Sequence, residues 1–366
     1  MHSINSFANS FVSIFIPIYL LTLGYSVTMT LFFLIVQHAM VVVGSLLAIY
    51  AANKVGLYRV LQLRFLFLGL YLLLLFWLQS GSVYFFAIAV IGGLNLSFYW
   101  TPVNILFTRS TKTETIGSSI GNFLAFPKIA QVFGPLFAGI IATYFGFSWL
   151  FVLAFFISIV GFLFITSLVS QPTSFTFSWA KIRQMHKENR QYFLAELFDN
   201  VAEEILYVLW PIFIFLTFVS LTKTGLVGSL IAFGAIAFTL LVGHFADTKM
   251  RSFLMRFGAG LMMALWFLIY FFQDQVWLLY SFSFVAPFVM ALFLVNYHAF
   301  LFTQAKKDEV HFIVLREIPV VLGRILAFLF AALAIYFWKD WSLVFLLAGV
   351  AFTYFLFWFK PERETL

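Results

Sequence analysis

Apolar runs of about twenty residues follow one another along almost the whole chain, and no other feature limits its fold so severely. About 20 predominantly apolar helical residues cross the hydrocarbon core of a bilayer. Polar or glycine-containing connections divide the runs into twelve predicted spans, near 4–23, 27–51, 60–79, 82–107, 117–144, 147–169, 191–218, 225–246, 252–272, 276–302, 312–337 and 341–359. In that order they are helix 1 to helix 12. Twelve spans use ~240 residues, so the rest of this 366-residue chain makes short connections and leaves no room for a soluble catalytic domain. Composition agrees: 63% of residues are hydrophobic and 10% charged, against roughly 25% charged in soluble domains. The expected fold is an all-α polytopic membrane protein.

The first run starts almost at Met1 and lacks both the charged start and the small-residue cleavage site of a secretory signal. We read it as a span; a sequence that begins late, trimming the opening turn, is the alternative. The chain has no cysteine, which excludes disulfides, thiolate catalysis and cysteine-based metal sites. Its net charge of +7 is not gathered into a nucleic-acid-binding stripe. The cations sort by topology instead, because positive loops stay cytoplasmic. With the N-terminus inside, 17 of the 21 lysines and arginines fall on inner connections or adjoining helix ends, including Arg64, Arg109, Lys181, Lys306 and Arg316. Lys223 and Lys339 fall outside, and Lys128 and Arg324 fall within spans. Both termini are therefore expected in the cytoplasm, with the chain in the plasma membrane.

The longest connection, residues 170–190, carries the basic amphipathic stretch Trp179 to Arg190, expected as a surface helix. It separates two halves, 1–169 and 191–366, that match at an offset of about 194 residues. Ile16-Pro17-Ile18 meets Trp210-Pro211-Ile212, Asn5 and Asn9 meet Asp199 and Glu203, and Asn53 meets Asp247. With one or two more residues of offset, Phe107-Thr108 meets Phe302-Thr303 and Pro127-Lys128-Ile129 meets Gly323-Arg324-Ile325. An even number of helices per half makes this a parallel repeat about an axis along the membrane normal. That geometry suits alternating access between two six-helix bundles.

The chain resembles the major facilitator superfamily over essentially its whole length. That family's helix 2–3 signature, roughly Gly-x3-Asp-Arg/Lys-x-Gly-Arg-Arg, is matched by Asn53-Lys54-Val55-Gly56 and Arg59, with Asn53 for the acid and Ile49 for the first glycine. The second half keeps Gly243-x3-Asp247, with Lys249 and Arg251, but places Met250 where glycine is expected. Helix 5 is similar to the antiporter motif, reading Gly121-x8-Ala130-x3-Gly134-Pro135-x2-Ala138-Gly139. Gly-Pro and small residues also serve plain helix packing. The resemblance implies a monomeric secondary transporter without a cofactor, whose helices 1, 4, 7 and 10 line the cavity. It also implies a conformational latch at Asn53, Gly56, Arg59, Gly243 and Asp247, with Asp247 near the start of helix 5.

Ionisable groups within spans cost about 2.5–3.5 kcal/mol each on insertion scales and mark functional sites. Asp199 and Glu203, four residues apart on one face of helix 7, are the candidate proton-coupling acids. Lys128, Glu203 and Arg324 are expected at similar mid-membrane depth, with the cations holding substrate or counterion; a static salt bridge would use the same residues. Asn9, Trp100, Asn104, Gln131, Asn296 and His298 are softer candidates for substrate binding. No zinc-protease, Walker or nucleophile-elbow motif is present, so neither an enzyme nor an ATP-driven pump is expected. The preferred expectation is proton-coupled export of a small organic compound. Uptake of an anionic metabolite, lipid flipping and a non-transporting receptor or assembly factor stay open.

Overall fold

The computed structural model describes residues 2–79, 81–112, 115–168, 171–172, 175, 178–245 and 250–360, and every regular element among them is helical. Ten helices have the length and hydropathy of a span: Ile4–Thr22, Val27–Val55, Leu57–Phe76, Phe85–Ser110, Ile116–Tyr144, Phe147–Thr166, Arg190–Phe218, Arg251–Phe272, Val276–Ala305 and Glu309–Phe337. Helix 8 (Leu221–Phe245) and helix 12 (Ser342–Phe357) complete the twelve. The predicted order therefore holds, with ends displaced by a few residues.

Proline explains where the spans are interrupted. It lacks an N–H and its ring crowds the carbonyl four residues earlier. Helix 1 accordingly breaks into His2–Ser10 and Phe15–Thr22 one turn before Pro17, and helix 5 breaks into Ile116–Gln131 and Gly134–Tyr144 at Pro135. In helix 7 the corresponding proline, Pro211, follows a widened π-helical turn, Ile205–Leu209. The repeat seen in the sequence thus places a disturbance in equivalent helices of both halves.

The halves meet chiefly where helix 2 packs on helix 11 and helix 5 packs on helix 8. The small residues of the antiporter-like motif lie in the second seam. A Cβ on Gly139 would stand 2.5 Å from the Leu221 carbonyl oxygen, and one on Gly225 would stand 2.3 Å from that of Pro135. Only glycine lets two backbones come so close, which is the usual role of small residues between membrane helices. Thr143 and Thr222 hydroxyls, 3.2 Å apart, and the Leu136 N–H donating to Ser229 Oγ at 3.1 Å finish this end.

The opposite, linker-side end is held by different chemistry. Arg109 of helix 4 pairs with Glu309 of helix 11, and Lys306 donates to the Thr111 carbonyl. Phe107 and Phe302 pack edge to face with centroids 5.1 Å apart. The expected linker helix spans Trp179–Glu188 and turns Ile182, Met185 and Asn189 inward, docking on helices 7 and 11. Its Lys181 pairs with Asp308, the N-cap of helix 11. Burial alone would raise the Asp308 carboxyl, but hydrogen bonds from Lys181 and His311 outweigh it and hold the group below the usual carboxylate range.

Arg64, Arg251 and Arg316, assigned to inner connections or helix ends in the sequence, lie largely inside the protein instead. Arg64 is 2% exposed within the first half, donating to Asn95 Oδ1 at 2.9 Å and to Asn5 Oδ1, with its guanidinium 4.5 Å from the Tyr99 ring. Arg316 points into the second half, as described below.

Candidate functional site

Helix 7 carries polar residues at 196, 199, 200, 203 and 204, the three-and-four spacing of a single helical face. That face turns toward helices 10 and 11 of its own half and toward helix 2 across the seam. Glu196, Asp199 and Asn200 are buried, Glu204 is 7% exposed, and Glu203 is half-buried.

Helix 11 supplies the opposite charge at two levels. Arg316 Nε donates to Glu196 Oε2 at 2.6 Å, and Tyr297 OH of helix 10 donates to Glu196 Oε1 at 2.9 Å. Two turns on, Arg324 Nε lies 3.0 Å from Glu204 Oε1 and donates to Asn200 Oδ1 at 3.1 Å. Glu204 also faces His38 of helix 2, whose Nε2 is 3.9 Å away, so this pair reaches across to the first half. His38 Nδ1 contacts the Leu34 carbonyl at 2.8 Å, which assigns it the ring proton and leaves Nε2 facing the acid.

The sequence places Glu203 beside both mid-membrane cations; in the structure Arg324 pairs with its neighbour Glu204. Adjacent helical residues point about 100° apart, so only one of the two acids can meet helix 11 squarely. Lys128 lies across the seam on helix 5, its Nζ 3.4 Å from Tyr207 OH and 4.5 Å from the Tyr207 ring centroid. Tyr207 belongs to the π turn. The cation and the ring meet in a cation–π contact.

Asp199 is the exception in this network of pairs. It is 0% exposed and neither carboxylate oxygen has a hydrogen-bond partner among the described residues. His298 of helix 10 faces it, its Nε2 3.7 Å from Asp199 Oδ2, beyond hydrogen-bonding reach. An ionised carboxylate buried without donor or counter-charge is expensive. Asp199 is therefore a buried carboxyl with no lysine or arginine paired to it among the described residues.

The softer candidates divide. Asn9 and Gln131 are half-buried, like Lys128, on helices 1 and 5, with Gln131 Nε2 donating to the Ser6 carbonyl at 3.4 Å. Asn296 is fully buried and spends its amide N–H on its own helix, donating to the Leu292 carbonyl at 2.7 Å. Asn104 is buried at 5% exposure, and Trp100, 37% exposed, packs edge to face on Tyr99. Glu204, an ionisable group within a span, and His38, a softer candidate, are legible in the sequence; Glu196, Asn200 and Arg316 are not among the residues expected at the site, and the polar stripe on helix 7 is the signal that points to the first two.

Of the expected latch, Asp247 lies outside the described residues, and Gly243 belongs to the end of helix 8. Gly56 joins helices 2 and 3 at φ +84°, a conformation that favours glycine, and Arg59 is exposed beside it. Asn53 clamps the linker: its Nδ2 donates to the Phe175 carbonyl at 3.1 Å and its Oδ1 accepts from the Phe175 N–H at 2.8 Å. An aspartate at this position has no donor for the first of these bonds.

Comparison with known proteins agrees with this architecture. The human organic anion transporter MFSD10 (TETRAN) superposes with a TM-score of 0.69 at 13% identity, covering 98% of this chain and 97% of that one. The proton:xylose symporter XylE bound to 6-bromo-6-deoxy-D-glucose gives 0.68 at 13% identity, covering 97% and 92%. At such identities the likeness concerns the fold. A search of curated proteins finds no match. The family model described as Major Facilitator Superfamily matches residues 1–188, more than half of the chain. With its twelve helices in two bundles, the chain belongs to the major facilitator superfamily, whose members are membrane transporters and not enzymes.

Proposed function

We propose that this transporter exports a small organic solute across the plasma membrane in exchange for protons, with Glu203 and Asp199 of helix 7 carrying the proton. The observation that carries this reading is Asp199, buried with neither oxygen bonded and no lysine or arginine paired to it among the described residues. A proton is the smallest group that can neutralise it. The distribution of cations favours it over uptake of an anionic metabolite. Arg316 and Arg324 are already matched by Glu196 and Glu204, which leaves Lys128 as the cation facing the seam.

In this reading Lys128, Asn9 and Gln131, on helices 1 and 5, present the polar surface that meets the solute. The cation bias supports a cytoplasmic linker side and cytoplasmic termini. A lipid-flipping role finds less support. The roughly 890 Å³ groove that opens sideways to the bilayer is walled by helices 3 and 6 of one half. It lies away from the seam that alternating access would open.

Flux in proteoliposomes, with and without an imposed pH gradient and across a compound panel, tests the reading. Glu203→Gln and Asp199→Asn should lose gradient-driven flux while keeping exchange of bound substrate. Proton-coupled flux at full rate in both variants would remove helix 7 from the coupling mechanism.

A further inference from the structure

We propose that Glu196 and Asp199 of helix 7, with His298 of helix 10, form a binding site for one divalent transition-metal ion of the manganese-to-zinc series. The proposal rests on and deepens the functional reading above, because the ion would neutralise the buried Asp199 in place of a proton.

The three groups each offer a ligand atom, and those atoms lie within 4.8 Å of one another. Glu196 and Asp199 are three residues apart and so project from the same side of helix 7. His298 approaches from the facing helix. Bonds of about 2.0–2.2 Å around a tetrahedral ion set neighbouring donors roughly 3.4 Å apart. The 3.7 Å between His298 Nε2 and Asp199 Oδ2 is too long for a hydrogen bond and close to that spacing.

A second observation points to a ligand. Asp199 is fully buried, is aimed at His298, and has both oxygens unpartnered. Glu196 is in the opposite condition, since Tyr297 OH and Arg316 Nε each bond one of its oxygens. A carboxylate has about four acceptor positions, so Glu196 can bind an ion while these two donors fix its orientation, as outer partners of metal ligands do. One imidazole nitrogen and two carboxylates suit manganese to zinc. Calcium and magnesium demand oxygen ligands, with six or more positions around the ion. The His298 side chain keeps 11% exposure where Asp199 has 1%, so the ion would enter past the imidazole.

The test is binding of ⁶⁵Zn²⁺, and of Mn²⁺ by electron paramagnetic resonance, to the EDTA-stripped full-length chain in detergent. One ion per chain is expected. Asp199→Asn and His298→Gln should each weaken binding at least tenfold, and the zinc absorption edge should report one imidazole ligand. Asp308→Asn with His311→Gln, an acid–histidine pair outside the proposed site, should leave binding unchanged. Should Asp199→Asn fail to give a monodisperse protein, His298→Gln decides. No stoichiometric binding, binding insensitive to His298→Gln, or binding lost with Asp308 and His311 would overturn the site. Gradient-driven flux measured in EDTA keeps the two readings apart. Flux without any metal binding refutes only the metal site, and metal binding without a response to the pH gradient refutes only proton coupling.

Discussion

Arg324→Met asks which helix 7 acid the mid-membrane arginine neutralises. Arg324 Nε stands 3.0 Å from Glu204 Oε1, with 23% and 8% of the two side chains exposed. Glu204 Oε2 already lacks a partner among the described residues, and His38 at 3.9 Å is the next group that can meet its charge. Removing one member of a buried pair costs about 3–5 kcal/mol, because the other charge stays buried. The residual exposure of Arg324 puts the expected loss near the lower end, about 3 kcal/mol, or roughly a hundredfold in the folded-to-unfolded ratio. Adding Glu204→Gln removes the orphaned charge and should restore most of that loss, whereas adding Glu203→Gln should not. Thermal unfolding of the wild type, the three single variants and the two double variants in the same detergent, followed by tryptophan fluorescence, measures the difference as two double-mutant cycles. Equal rescue by the two glutamines, or rescue by Glu203→Gln alone, would refute the assignment of Arg324 to Glu204.

Gly225→Leu should force helix 8 away from Pro135; because the chain has no cysteine, maleimide labelling of Thr143→Cys reports the opening, and unchanged labelling would count against the close-packed seam. Asn53→Asp should lose the bond to the Phe175 carbonyl and cost about 1 kcal/mol; proteolysis within residues 171–178 should quicken, and Asn53→Gln provides the contrast in size without loss of the donor. Asp308 has a lowered folded pKa, so its contribution is present above the ordinary carboxylate value and is lost as pH falls through the lower folded value. Hydrogen exchange in the linker helix should therefore rise below about pH 4, and Asp308→Asn should abolish that rise. Tags beside Met185 and Lys223 should be reached from opposite sides of the membrane, the first from the cytoplasm; labelling from one side alone would overturn the orientation.

The spans and the repeat of two halves are legible in the sequence, and the helix breaks, absent from that reading, follow from local chemistry too. A run of about 20 apolar residues is enough to cross lipid, and Pro17, Pro135 and Pro211 disturb a helix through their own rings and missing N–H groups. The polar stripe on helix 7 is equally local, and it names the acids as a set. It cannot assign their partners. Glu203 and Glu204 differ by one residue and about 100° around the helix, and the packing of helix 11 decides that Arg324 meets the second. Glu196 comes to lie beside His298 and Asn53 comes to hold Phe175 only when segments 102 and 122 residues apart are brought together. Arg64 shows the same division: its position at the start of helix 3 reads as a topology charge, and the packing of Asn5, Asn95 and Tyr99 turns it into a buried cation. Hydropathy is summed along the chain, whereas the pairing of buried charges depends on direction and distance between chains of neighbours, which only the tertiary structure sets.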